Sequence, residues 1–237
     1  MTRGVNAQIV ASMPIEVHAE LPLLLLPEYT LFPGTLVPFH LHDPSLCATV
    51  SESLADRRLL VVSPQAALST ARRRAGVPHG VGHSGVAAGL GRVVSDRRYP
   101  DGRLDLFVHG LSRVRIIRVR DVGGRLFADA MEDADEPGRG AREAARRLRQ
   151  VAYQLATALA DDPRTPRPEE SDGLFAILSS TEEPGLLANR LAAFYLTDFR
   201  ARQALLEMRC PTTRCERLVD LLGEILLAQY GTATALH

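Results

Sequence analysis

The 237-residue sequence contains no lysine; all 28 of its Lys/Arg positions are arginine. That absence excludes more chemistry than any motif in the chain. A phosphate-binding P-loop places a lysine on its nucleotide, and none is encoded here. A Ser–Lys dyad and a Schiff-base lysine are excluded for the same reason. Cysteine is scarce as well. Cys47, Cys210 and Cys215 are an odd set without a framework spacing, which reads as free thiols in a reducing compartment. No apolar run approaches the length of a bilayer span. The first such run, Leu21–Leu26, is too short for a signal-peptide core and contains a proline. The expectation is a soluble cytoplasmic protein with no membrane contact. Charge of one sign is not in excess either: 28 basic residues face 28 acidic ones. The balance argues against a dedicated nucleic-acid binder.

What is present is ordinary globular material, 46% hydrophobic and 24% charged, long enough to bury a core. Residues 21–44 organise it. The runs Leu21–Leu26 and Leu36–Leu41 are short and proline-bounded, so both read as strands. Pro33-Gly34 between them is turn chemistry, with proline presetting φ and glycine accepting φ > 0. Pro22 and Pro38 lack an N–H and belong at strand ends or edges. Asp43-Pro44 then starts a helix, an acid at the N-cap and proline at the first turn.

Further along, Leu46, Val50 and Leu54 recur at helical spacing, and Leu59–Val62 reads as a buried strand. Residues 64–85 are irregular, with the arginine run Arg72–Arg74, and read as a loop. Pro100-Asp101-Gly102 between extended runs signals a hairpin. Leu104, Leu106 and Val108 alternate with Asp105, Phe107 and His109, and Gly110 is expected to break that run. A second strand pair turns at Gly123-Gly124. The acidic, Pro/Gly-rich stretch 132–140 reads as a linker. Beyond it the period changes to that of helices: about twenty residues from 141, a short helix near Leu174–Leu178, and helices opened by Pro184, Asp198 and Pro211.

Three separated stretches resemble one family. Leu21–Leu26, Phe32-Pro33-Gly34 and Pro38-Phe39-His40-Leu41-His42-Asp43-Pro44 look like the opening of the substrate-binding domain of ATP-dependent Lon proteases. His42 departs from the aromatic or aliphatic residue usual there. Pro100-Asp101-Gly102, Gly110-Leu111, Arg113, Arg115 and Ile116 match its second signature. Gln203, Leu205-Leu206-Glu207 and Arg217-Leu218 match its helical half. The resemblance implies an α+β protein: an N-terminal PUA-like β-barrel with a short helix, then a C-terminal α-helical bundle. The corresponding division is a lead-in at 1–19, a barrel over 20–131, a linker over 132–140 and a bundle over 141–230. It further implies a stand-alone member, without the family's ATPase and protease domains, that binds unfolded or partly unfolded polypeptide without turnover. A protease or ATPase partner and a homodimer are both compatible with it.

Other motifs are weaker. Gly80-x-Gly82-x-x-Gly85 fits a dinucleotide fingerprint by letter but follows a basic loop, not a strand. Ser84 sits in a glycine-flanked triplet lacking the last glycine of a nucleophile elbow. His40 and His42 share a strand face near Cys47, with His79 and His83 in reach of a metal-binding arrangement, but a polar rim is the better reading. No metal and no cofactor is expected. The peptide-binding candidates are Tyr29, Phe32, Phe39, His40, His42, Tyr99 and Phe107, the aromatics and imidazoles near the barrel strands. Pro33, Gly34, Asp101, Gly102 and Gly110 are structural turn positions. The competing readings are an RNA-binding PUA-like module, resting on fold type and Arg72–Arg74, and an enzyme built on His40, His42 or Ser84. The preferred contact is apolar surface left uncovered where the sheet meets the bundle.

Overall fold

The computed structural model describes residues 16–69, 85–160 and 170–234. Six strands come first: β1 (Val17–Leu26), β2 (Leu36–Leu41), β3 (Leu59–Pro64), β4 (Ala87–Arg98), β5 (Leu104–Val122) and β6 (Arg125–Glu132). Helix α1 (Pro44–Ala55) sits between β2 and β3. Then come α2 (Ala141–Ala160), α3 (Glu170–Ser180), α4 (Pro184–Tyr195), α5 (Phe199–Glu207) and α6 (Pro211–Thr234). The fold class is α+β.

The strands run in the order β2-β5-β4-β3-β1-β6, and β6 also pairs with β5. The pairing β5-β4-β3-β1-β6-β5 therefore closes on itself, and β2 extends beside it. Only the β1–β3 pair is parallel; every other pair is antiparallel. β5 makes closure possible because it is 19 residues long. Its first half pairs with β2 and its second half with β6, while β4 lies along its other edge.

The two strands with continuous apolar runs lie between two cores. Leu23 of β1 and Val61 of β3 enter one cluster, and Leu24, Leu60 and Val62 enter another. Burial on both faces explains why these strands do not alternate. β1 begins at Val17, earlier than its apolar run, and passes through a register shift between His18 and Leu21. Glu20 there has φ +56, and its N–H is held by Asp129 Oδ1 at 3.0 Å. Pro22 is not at an edge. It stands where β1 passes from β6 (Pro22 opposite Phe127) to β3 (Leu23 opposite Val61), so no ladder donor is lost.

The turn chemistry holds at Gly102 (φ +88) and at the Gly123-Gly124 pair (φ +62 and +83). Gly110 differs from expectation. β5 continues through it, and its φ is not positive. A Cβ at Gly110 would lie 2.1 Å from the Phe32 carbonyl oxygen, and one at Gly89 would lie 2.3 Å from that of Leu31. The two glycines let the loop between β1 and β2 lie directly on the backbone of β4 and β5.

That loop ties the sheet to the helices. Leu31 packs in a barrel core and Phe32 in the helical core, with Leu148, Leu187, Leu191 and Leu218. Gly34 (φ +76) faces Leu186, and the Arg190 guanidinium donates to its carbonyl at 3.0 Å. The helices start on their expected signals. Asp43 accepts from the N–H groups of Ser45 and Leu46, and Asp198 from those of Arg200 and Ala201. Cys215 lies in the helical core, where burial pushes its thiol up to about 12.

Candidate functional site

Two surfaces compete for attention. One is the junction of sheet and helices, where apolar surface was expected. It holds a cleft of about 370 Å³, where Arg113, Asp133, Asp135, Glu183, Asn189 and Arg214 stand beside Pro33 and Leu186. Arg113, buried on β5, meets Asp133 at 3.1 Å and Asp135 at 2.9 Å, and donates to the Met208 carbonyl at 3.1 Å. Asp133 also receives Arg115 at 3.0 Å and Arg209 at 2.9 Å. Arg214, 1% exposed at the start of α6, reaches Asp135, Asn189 and the Met208 carbonyl. The segment read as a linker thus supplies the acids that fasten the helices to the sheet. Buried charge fastens the junction, beside the apolar contact that Phe32 and Ala87 make with the helices.

The other surface is the outward face of β2, β5 and β4. Register places its side chains in three rows. Leu36, His109 and Arg92 form the first; Pro38, Phe107 and Ser95 the second; His40, Asp105 and Arg97 the third. Their neighbours Phe39, Leu41, Leu104, Leu106, Val108 and Val93 point the other way, into the core. Pairing slips between Val93 and Ser95, and Val94 at the slip is exposed. Leu36 (59% exposed), Val94 (51%) and Phe107 (48%) make the outward face apolar at its centre.

Polar groups stiffen one end of this face. His40 Nδ1 lies 2.8 Å from Asp105 Oδ1, and the Tyr99 hydroxyl donates to Asp105 Oδ2 at 2.8 Å. The bonds from His40 and then Tyr99 hold the Asp105 carboxyl below its ordinary pKa, and the same bond raises that of Tyr99. Arg97 and Arg103 stack over the Tyr99 ring at 5.0 and 5.1 Å from its centroid.

The seven candidate contact residues therefore separate. His40, Tyr99 and Phe107 gather on this face, and His42 is exposed just past the end of β2. Phe32 and Phe39 are buried and serve the cores. Tyr29 packs edge-on against Phe39 under Arg202, and burial raises its pKa. Pro33 lines the charged cleft; the Asp101 carboxylate accepts from the Arg103 N–H in the β4–β5 turn. Sequence reading placed Pro38 at a strand end or edge, and β2 is an edge strand, but it named none of Leu36, Pro38, Val94, Arg92 or Arg97 as a contact residue. The alternation in β2 could have paired Leu36 with Pro38 and His40, but only the register adds the other strands.

Cys47 is buried, away from the exposed His40, and among the described residues no His/Cys/Asp/Glu group is arranged to hold a metal ion. His79, His83, Ser84, Gly80, Gly82 and Arg72–Arg74 lie outside the described residues. Among those residues no helix is long and apolar enough to cross a membrane.

The fold itself is that of Lon protease N-terminal domains. It superposes on the N-terminal domain of the Mycobacterium avium complex Lon protease with a TM-score of 0.62 at 20% identity, covering 86% of this chain and 98% of that one. A Lon N-terminal domain protein from Xanthomonas campestris gives 0.54 at 21% identity, with the same coverage of both chains. The family model for the ATP-dependent protease La (LON) substrate-binding domain matches residues 20–224, and the chain belongs to that family. A Lon protease of Xanthomonas oryzae pv. oryzae is 31% identical over 216 residues, which is 89% of this chain and 24% of that protein. The Lon protease of Escherichia coli K12 is 24% identical over 212 residues, 89% of this chain and 25% of the relative. The chain thus spans about a quarter of the length of these relatives.

Proposed function

We propose that this chain is a non-catalytic recognition module that captures exposed apolar segments of unfolded polypeptides, on the outward face of β2, β5 and β4, for an ATP-dependent protease. One observation carries the reading: Leu36, Val94 and Phe107 are exposed on neighbouring strands of one sheet face, while ion-paired residues line the cleft at the junction with the helices. Exposed apolar groups that cluster on a firm surface are a common mark of protein contact. The family membership and the Lon relatives support the same direction. β5 is paired on both of its edges, so contact over its outward face is made by side chains without reordering the fold. Each captured segment loses water from apolar surface at about 25 cal/mol per Å², which makes binding weak, additive and reversible. That behaviour suits clients without a common sequence.

The test is capture of a reduced, carboxymethylated unfolded protein by the immobilised chain, against its folded form. The unfolded form is expected to bind and the folded form not. Phe107→Ser should weaken capture about fivefold, the effect of removing roughly 1 kcal/mol of apolar contact. Equal capture of folded and unfolded protein would remove the proposal.

A further inference from the structure

We infer that the outward face prefers extended segments carrying an acidic residue two positions before and two after an apolar one; this rests on the polypeptide-binding reading and names its substrate class. Two features carry it. The first is the mode of contact. β2 pairs only with β5 among the described residues, so its second edge is open. The Gly110 N–H donates to the Thr35 carbonyl at 2.8 Å, which sets the phase of that pairing. Counting in twos, Leu36, Pro38 and His40 turn their backbone groups toward the open edge. Pro38 at the middle has no N–H to offer, a device that blunts strand addition. The segment therefore lies over the face and is held by side chains.

The second feature is charge. Each carboxylate at this end of the sheet already has a partner: Asp96 pairs with Arg58 at 2.6 Å, Asp101 with Arg103 at 2.7 Å, and Asp105 is bonded to the His40 ring at 2.8 Å and to the Tyr99 hydroxyl. Arg92 and Arg97 have no carboxylate partner among the described residues, and both are exposed. They stand in the first and third rows, with Phe107 in the row between. The first and third rows, four residues apart along the strand, are about 13 Å apart at roughly 3.3 Å per residue. In an extended segment, residues i, i+2 and i+4 share a face and span the same length. An acid at i and another at i+4 then meet Arg92 and Arg97 while the apolar side chain at i+2 sits on Phe107. Nucleic acid fits less well. Leu36, Pro38 and Val94 offer no stacking surface, Phe107 is the one phenyl ring in the three rows, and the Tyr99 ring is already covered by Arg97 and Arg103.

The test uses fluorescein-labelled eleven-residue peptides and the full chain, read by anisotropy. The core of each is glutamate-serine-phenylalanine-serine-glutamate, the same with arginine or glutamine for glutamate, or the two glutamates moved to adjacent positions. Labelled oligouridylate is the fifth probe. The spaced acidic peptide should bind roughly tenfold more tightly than the glutamine peptide, the size of two exposed ion pairs. The arginine peptide should bind most weakly of the peptides. The double variant Arg92→Glu/Arg97→Glu should reverse the acidic–basic order and leave the glutamine peptide unchanged. Equal binding of all four peptides, each weakened by Phe107→Ser, overturns the acidic preference but leaves the polypeptide-binding reading standing. Absence of peptide binding together with failure to capture unfolded protein removes both. Tighter binding of oligouridylate than of any peptide, lost in the arginine variant, overturns the inference in favour of RNA.

Discussion

Arginine does opposite things in two parts of this molecule. At the junction, Arg113 and Arg214 are buried, and each is surrounded by carboxylates and backbone carbonyls. On the outward sheet face, Arg92 and Arg97 are exposed and lack a carboxylate partner among the described residues. A guanidinium buried against carboxylates is a fastener; an exposed one without a carboxylate partner, even where it stacks on a ring as Arg97 does on Tyr99, remains available to an anion. The same residue type, in a chain without lysine, thus divides into structure and recognition according to what surrounds it. Substitutions in the two places should separate stability from binding.

The largest effect is expected at Asp133. Its carboxylate is 6% exposed and serves Arg113, Arg115 and Arg209. Asp133→Ala leaves the buried Arg113 short of its counter-charge, which should cost about 3–5 kcal/mol. Urea unfolding measures this, and a loss below about 1 kcal/mol would show that buried charge does not fasten the junction. Next comes Gly110→Ala. The new Cβ would press on the Phe32 carbonyl 2.1 Å away, and displacing that loop should cost about 1–3 kcal/mol. Because Phe32 sits in the helical core, near-ultraviolet circular dichroism should report a change in the helices although the substitution is in a strand.

These two predictions also mark where the sequence was legible. Local signals were reliable. Asp43 and Asp198 cap helices, Gly102 and the Gly123-Gly124 pair turn hairpins, and α2 has the length its period gives. Each depends on neighbours within a few residues. Gly110 was misread because its reason lies about eighty residues away, in the Phe32 carbonyl. Asp133 and Asp135 look like a solvated linker, since nothing near them announces that Arg113, Arg209 and Arg214 converge there. The division into 20–131 and 141–230 describes where the periods change, but the acids between those ranges belong to the contact joining them. The outward face was half legible. Alternation gave Phe107 a face opposite Leu106, but only strand register set it beside Pro38 and between Arg92 and Arg97.

A smaller effect concerns acid. Burial works to raise the pKa of Asp129, but the Glu20 N–H and the Arg120 and Arg118 guanidiniums outweigh it and hold the carboxyl below its ordinary value. A carboxyl whose folded pKa is depressed adds stability above its unfolded pKa, and loses it as pH falls through the folded one. Stability should therefore decline below about pH 4, and Asp129→Asn should flatten that decline. An unchanged pH profile in the variant would assign the acid sensitivity elsewhere. Because Asp129 anchors the Glu20 bulge, the protection of the Glu20 amide, its exchange relative to an unstructured amide at the same pH, should fall over the same pH range.

The smallest expected change in stability tests the comparison most directly. Arg92→Glu removes a side chain that stands in water with no carboxylate partner among the described residues, so unfolding free energy should move by less than about 0.5 kcal/mol. Its neighbour across the strand pair is His109, not an acid, so the new glutamate meets no like charge there. Binding should nevertheless respond, because an anionic group seated in the first row, next to Phe107 in the second, meets this position. The signature is a variant as stable as the parent whose affinity for acidic segments falls and whose dependence on salt becomes shallower. Should Arg92→Glu destabilise the fold as Asp133→Ala does, the outward arginines would be fasteners too, and the distinction between buried and exposed guanidiniums would fail.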